Sequence, residues 1–199
     1  FMSLQKQAKI MTPQQEKVVL SYVSESRDPL RNKVIFLLSV KAGLRAKEIA
    51  SLRWEMLMES DGGLGDYLNL TNQASKGNGG RKIPLNASLK SSLTDLFLLV
   101  RERPHFSPER SVIRTERSAT TSPQVIVNLF SRWYTALGFV GCSSHSGRRT
   151  FITNIAKKIS LVGGSMRDIQ ELAGHSSLQI TQRYIEGDEL AKQKVVGLI

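Results

Sequence analysis

The sequence predicts a mainly α-helical fold carrying a small three-stranded antiparallel sheet. Three observations lead there. Capping residues stand ahead of apolar residues spaced three and four apart at Thr12-Pro13, Asp28-Pro29, Asn86 and Ser122-Pro123, which is how a helix start reads. Between Trp54 and Leu85 the apolar period shortens and glycine-rich turns intervene, the pattern of strands. The 199 residues, 40% hydrophobic and 23% charged, are enough to bury one sizeable core.

The elements follow in order. With Thr12 as cap and Pro13 in its first turn, the first helix runs to about Ser24 and offers Val18, Val19, Tyr22 and Val23 to a core. The second starts at Asp28-Pro29, carries Val34, Ile35, Leu37 and Leu38 as far as Lys41, and meets Gly43 as its natural terminator. A third begins at Ala46, buries Ile49 and Leu52, and stops before Trp54. Arg45 therefore stands at a helix entrance, where backbone N–H groups also attract anions, though taken alone it reads as a surface arginine. Trp54–Met58, Tyr67–Thr71 and Arg81–Leu85 read as the three strands, with turns at Asp61-Gly62-Gly63 and at Lys76-Gly77-Asn78-Gly79-Gly80. Asn86 caps a helix through Leu89, Leu93, Leu96, Phe97 and Val100 that Pro104 stops. Residues 105–121 are polar and basic, with Arg110, Arg114 and Arg117; a disordered surface loop and a loop facing a binding partner both fit. Ser122-Pro123 opens the next helix, through Val125, Ile126, Leu129, Trp133 and Leu137 to Gly138.

Charge narrows the partners. There are 28 Lys+Arg against 17 Asp+Glu, a formal charge of +11, which favours a polyanion over the alternative of a merely soluble basic protein. The single cysteine, Cys142, permits no internal disulfide and points to a reducing, intracellular setting; near His145 it reads as a packing residue rather than a nucleophile. Val34 to Val40, the longest apolar run, is too short for a membrane span. His105, His145, His175 and Cys142 have no zinc spacing, no acidic cluster suits a two-metal site, and no phosphate-binding glycine loop is present, so no cofactor or metal is expected.

The chemistry concentrates between Ser143 and Tyr184. A helix follows His145-Ser146-Gly147-Arg148-Arg149, with Ile152, Ile155 and Ile159 on one face; Gly163-Gly164 breaks it. Ser165 and Asp168 form a capping box for the next helix, which Gly174 ends, leaving His175 just past its C-terminus. A last short helix starts near Ser177 and carries Tyr184. Arginine forks grip phosphate, histidine donates hydrogen bonds or passes protons near neutral pH, and tyrosine serves as a covalent nucleophile. Together they suit phosphoryl transfer through a phosphotyrosine.

These residues also match a family. GLRAKEI, SKGNGGRKIPL, HSGRR, AGHSS and TQRY occur in this order, and Tyr184 lies nine residues after His175. Over roughly Met11 to Asp188 the chain resembles the catalytic domain of tyrosine recombinases, the phage-integrase and Xer-like group. The resemblance implies that family's catalytic-domain fold and a catalytic set of Arg45, Lys76, His145, Arg148, His175 and the nucleophile Tyr184. Arg149 competes with Arg148, and spacing from His145 favours the latter. DNA contacts are expected from Arg45, Lys76, Arg81, Arg114, Arg148 and Arg149.

The implied activity is cleavage and rejoining of double-stranded DNA without metal or ATP, in the cytoplasm of a bacterial or phage-derived system. A type IB topoisomerase and a non-catalytic DNA-binding derivative are the alternatives; a basic RNA-binding module lacks an aromatic stacking motif. The whole of 1–199 is expected to form one catalytic domain, with its core at 11–188. Family members generally carry an N-terminal DNA-clamping domain, and almost nothing precedes the first helix here, so that domain is expected to be absent. Phe1 before Met2 reads as a remnant or a fragment boundary. In the tail at 189–199, Val195, Val196, Leu198 and Ile199 are expected to dock on a neighbouring protomer, giving a tetramer on DNA and a monomer when free.

Overall fold

Helix α1, Pro13–Ser24, is set by its first turn. Thr12 Oγ1 accepts from the Gln15 N–H (3.2 Å) while Gln15 Oε1 accepts from the Thr12 N–H (3.0 Å), so two otherwise unpaired donors are satisfied. Val19 and Val23 are buried, Val18 is half-buried, and Tyr22 lies outside the core with 36% exposure. Helix α2, Pro29–Ala42, is apolar on nearly every face and buries Val34, Ile35, Phe36, Leu37, Leu38 and Val40. A helix apolar all round belongs in the centre, and α2 packs on α1 and on two later helices described below. It ends where Gly43 takes a left-handed conformation, φ 65°. A Cβ there would run into the Phe151 ring.

The structure, a computed structural model, describes residues 8–71, 80–115, 118–184 and 196–197. Helix α3 spans Ala46–Ala50, with Arg45 as the residue before it. The sheet has two strands, β1 Tyr67–Leu70 and β2 Arg81–Pro84, antiparallel with Leu70 opposite Arg81. Leu68, Leu70 and Ile83 face the core.

The expected third strand at Trp54–Met58 is absent. Trp54–Met56 is a 3-10 turn instead, because the backbone around it is claimed by the 108–112 segment: Trp54 N–H donates to Arg110 O (3.1 Å), Glu55 N–H to Pro108 O (2.7 Å), and Val112 N–H to Leu52 O (2.9 Å). Two isolated bridges, Arg53 with Ser111 and Met58 with Leu64, are what remains of it. The same bonds count against a disordered loop over residues 108–114. Val112 and Ile113 are buried, and the Arg31 guanidinium donates to the Arg114 carbonyl (3.4 Å), so the segment is pinned to the core. Arg117 lies outside the described residues.

Helices α4 Ala87–Arg101, α5 Pro123–Ala136, α6 Ser146–Lys158, α7 Met166–Ala173 and α8 Leu178–Gln182 complete the fold. α2 packs against α4 and α6, α3 against α5, and α7 against α6, α8 and β2. The main core joins α1 to α5 with the sheet, and Cys142 packs against its edge. A smaller cluster of Phe151, Ile152, Ile169 and Ala173 seats α6 against α7, with Ile155, Ile159 and Tyr184 partly buried against it. Tyr184 stands in the turn after α8 rather than in the helix, since α8 ends at Gln182. No helix among the described residues is long and apolar enough to cross a membrane. Of the expected tail, only Val196 and Gly197 are described; Val196 is 67% exposed, and Val195, Leu198 and Ile199 fall outside.

Candidate active site

The site lies where the C-terminal ends of α2 and α7 meet the start of α6. Gly147 permits that meeting. A Cβ on it would lie 2.9 Å from Ser39 Cβ and 3.0 Å from Val40 Cγ1, so only glycine lets the first turn of α6 rest directly on α2. The next residue, Arg148, then points inward and is 5% exposed. Its guanidinium donates to the carbonyls of Gly43 and Ala173, each at 2.6 Å. Both carbonyls are at helix C-termini, where the peptide dipoles favour a cation. Two of the five guanidinium N–H groups hold the fork in place, and the remaining donors are those a phosphate would engage.

Glu48 organises the other two arginines. It is 1% exposed and sits in the first turn of α3, where Oε2 accepts from the Arg45 backbone N–H (2.8 Å) and Oε1 from Arg45 NH1 (3.0 Å). Arg81 reaches it from β2 in a two-pronged pair, NH1 to Oε1 at 2.9 Å and NH2 to Oε2 at 3.0 Å, and Arg81 Nε donates to Leu172 O at 3.1 Å. Burial raises the Glu48 carboxyl, but the hydrogen bond and charge of Arg81, reinforced by Arg45, hold it below its ordinary value. It therefore stays ionised. Arg81, expected among the DNA contacts, is turned inward with 6% side-chain exposure because the buried carboxylate and the end of α7 occupy its donors. Arg45 keeps 28% side-chain exposure and is the more open of the two.

His175 follows the left-handed Gly174, φ 61°, at the end of α7. It is 8% exposed, and its Nδ1 shares a 3.0 Å hydrogen bond with Thr181 Oγ1. The Tyr184 ring stacks on it, centroids 5.3 Å apart and planes 22° apart. Burial first, then the charges of Arg148, Arg45 and Arg81, push His175 down to about 4, so the ring is neutral at pH 7. Arg148 is pushed down to about 9, by burial above all and then by the charge of Arg45; Glu48 and Tyr184 act in the opposite direction. At neutral pH it is still a cation. Three guanidiniums against one carboxylate leave this cluster with two positive charges in excess.

The structure thus brings together Arg45, Arg148, His175 and Tyr184, from four separate segments. His145 is exposed at the entrance of α6, three residues ahead of Arg148, with its backbone N–H bonded to Ser143 Oγ at 3.3 Å. Arg149 donates to Ala8 O (3.1 Å). Arg114 is half-buried along the pinned 108–114 segment. Lys76 falls outside the described residues. Sequence reading missed Thr181, whose sole signal is its place six residues after one site residue and three before another.

Comparison with known proteins gives the family and the fold. Residues 9–190 match the model of the phage integrase family. Tyrosine recombinase XerA of Pyrococcus furiosus is 29% identical over 177 residues, covering 88% of this chain and 56% of that protein. Tyrosine recombinase XerC of Nitrobacter winogradskyi is 31% identical over 165 residues, covering 80% of this chain and 48% of that protein. The chain thus spans about half the length of these relatives. In fold it is similar to the XerA recombinase crystal structure (TM-score 0.73, 18% identity, 95% of this chain and 64% of that one). It is equally similar to the Tn1549 transposon integrase in complex with circular intermediate DNA (TM-score 0.74, 18% identity, 100% and 69%). With a family match over nearly its whole length and a tyrosine-recombinase catalytic fold, this chain belongs to the phage integrase family.

Proposed function

We propose that this chain is the catalytic part of a site-specific DNA recombinase or integrase that cuts and rejoins strands through a 3′-phosphotyrosyl link. The observation that carries the reading is the Tyr184 ring stacked on His175, beside a buried cluster with two excess positive charges. Tyr184 Oη attacks a scissile phosphorus; the new O–P bond forms as the P–O5′ bond breaks. The departing 5′ oxygen takes a proton from Lys76, and the phenol proton passes toward His145. Arg45 and Arg148 balance the charge that builds on the non-bridging oxygens, the part metal ions play in other phosphoryl transfers. His175 donates a hydrogen bond to the same phosphate, while Glu48 and Arg81 position the arginines. The phosphodiester bond energy is kept in the tyrosyl link, so a second 5′-hydroxyl reverses the step and joins a new strand without ATP.

The partner in this reading is double-stranded DNA. The excess of basic residues favours it, and solved neighbours include XerH recombinase bound to its difH substrate and a lambda integrase dimer bound to a core site. Assembly is a tetramer on DNA through residues 189–199, and a monomer when free. Such an enzyme works on nucleoid DNA in the cytoplasm of a bacterial or phage-derived system. The test is incubation with a pool of nicked duplexes of randomised core sequence, followed by sequencing of the covalently captured strands and a two-site joining assay on the enriched sequence. Enrichment of one core and joining of two copies support a recombinase. Relaxation of supercoiled plasmid with no enriched core would instead identify a topoisomerase.

A further inference from the structure

Thr181 is fully buried, at 0% exposure, and it touches both neighbours that matter. Its side-chain Oγ1 lies 3.0 Å from His175 Nδ1, and its backbone carbonyl accepts from the Tyr184 N–H at 3.0 Å. The direction of the first bond has a chemical consequence. A neutral imidazole carries one hydrogen, on either Nδ1 or Nε2. Were it on Nδ1, Oγ1 would accept it and the hydroxyl hydrogen would need another acceptor. Among the described residues Oγ1 has no partner besides His175. That arrangement would leave a buried O–H unbonded, which disfavours it. With the hydroxyl donating to Nδ1, the buried O–H is bonded and the ring hydrogen sits on Nε2, which is not among the buried side-chain atoms left without a partner in the described residues. Neutrality of the ring at pH 7 follows from burial and from the charges of Arg148, Arg45 and Arg81.

We propose that Thr181 is a positioning residue whose hydroxyl holds His175 as the Nε2–H tautomer, so that the imidazole offers an N–H donor to the scissile phosphate. The final clause rests on the recombinase reading; the tautomer itself does not. Because Thr181 stands in α8 and its carbonyl holds the Tyr184 amide, one residue ties the nucleophile's segment to the histidine's protonation pattern. Undocking of α8 would remove the partner of Nδ1 as it withdraws the phenol.

The test is nitrogen NMR at pH 7 on the full chain labelled with [¹⁵N]histidine, with His175 assigned by loss of its signals in His175→Gln. The expected spectrum has a pyridine-type shift at Nδ1 and a pyrrole-type shift at Nε2. Thr181→Ser keeps this pattern; Thr181→Val shifts it toward the other tautomer. On a nicked duplex the valine variant is slower by about tenfold or more, the worth of one hydrogen bond to a charged group, and the serine variant is close to the parent. A pyrrole-type Nδ1 in the parent chain, or an unchanged His175 spectrum in a folded Thr181→Val, overturns the proposal. If the valine variant does not fold, the parent and serine spectra still decide it. The expected tautomer in a chain that never captures DNA would overturn the recombinase reading and leave the Thr181 assignment standing.

Discussion

Glu48 and Arg81 are joined by two parallel hydrogen bonds of 2.9 and 3.0 Å between side chains only 1% and 6% exposed. Residues 33 positions apart in sequence are thereby fixed to one another. The pair anchors β2 to the start of α3, and the Arg81 bond to Leu172 O extends the tie to α7. Removing one member of a buried pair leaves the other's charge uncompensated, at a cost of about 3–5 kcal/mol. Glu48→Gln and Arg81→Met should each lower unfolding free energy by roughly that amount, read by urea denaturation. The double variant should cost clearly less than the two losses added, because the second substitution removes a charge already stranded. Strictly additive losses would mean the two side chains do not act as a pair.

Arg148 invites a comparison of two substitutions. Arg148→Ala strips donors from the Gly43 and Ala173 carbonyls, and an unbonded buried acceptor costs about 1–3 kcal/mol. Arg148→Lys keeps the charge but has no fork to span both carbonyls. Both variants should lose DNA cleavage by at least about a hundredfold, since a donor aimed at developing charge contributes about that much. Thermal unfolding should rank them parent above lysine above alanine. A lysine variant that cleaves like the parent would contradict the fork geometry.

Gly43 tests the helix end that holds Arg148. Its φ of 65° is left-handed, which costs an L-residue about 1–2 kcal/mol, and an added Cβ would also meet Phe151. Gly43→Ala should therefore lower the midpoint of unfolding. Phe151→Ala in the same background relieves the crowding but opens a cavity, so it should not restore the parent value. Full restoration would show the backbone conformation to be unimportant.

Much of this was legible from the sequence, for local reasons. Thr12-Pro13, Asn86, Ser122-Pro123, Gly43 and Gly174 marked helix boundaries correctly because capping depends on residues a few positions apart. Arg45, Arg148, His175 and Tyr184 were legible as a set through the resemblance to the tyrosine recombinases, and the structure brings them together. What failed needed distant partners. The period at Trp54–Met58 looked like a strand, yet the hydrogen bonds that decide it come from residues 108–112. Arg81 was expected as a DNA contact, and only the fold reveals its bonds to Glu48 and Leu172. Thr181 gave no signal beyond its spacing, because its hydroxyl acquires meaning only once His175 is opposite it.

His175 makes acid stability a readout of the site. The ring titrates at about 4 in the folded chain against 6.5 in the absence of perturbation, with burial as the first cause and the arginines after it. Between those values the unfolded chain binds the proton and the folded chain does not. The stability contribution is therefore complete above 6.5 and is lost as the pH falls toward 4. Unfolding free energy followed from pH 7 to pH 4 should drop more steeply in the parent than in His175→Gln. Equal slopes would show that the imidazole is not held neutral by its surroundings.

The claim that all else depends on is that the phenol of Tyr184 bonds to a DNA phosphorus. The direct measurement is capture on a nicked duplex, digestion of the covalent complex, and mass spectrometry of the nucleotide-bearing peptide. A 3′-phosphonucleotide is expected on the peptide containing Tyr184, and no adduct from Tyr184→Phe, which still binds DNA nearly as the parent does. An adduct on another residue, or one that persists in Tyr184→Phe, would contradict it.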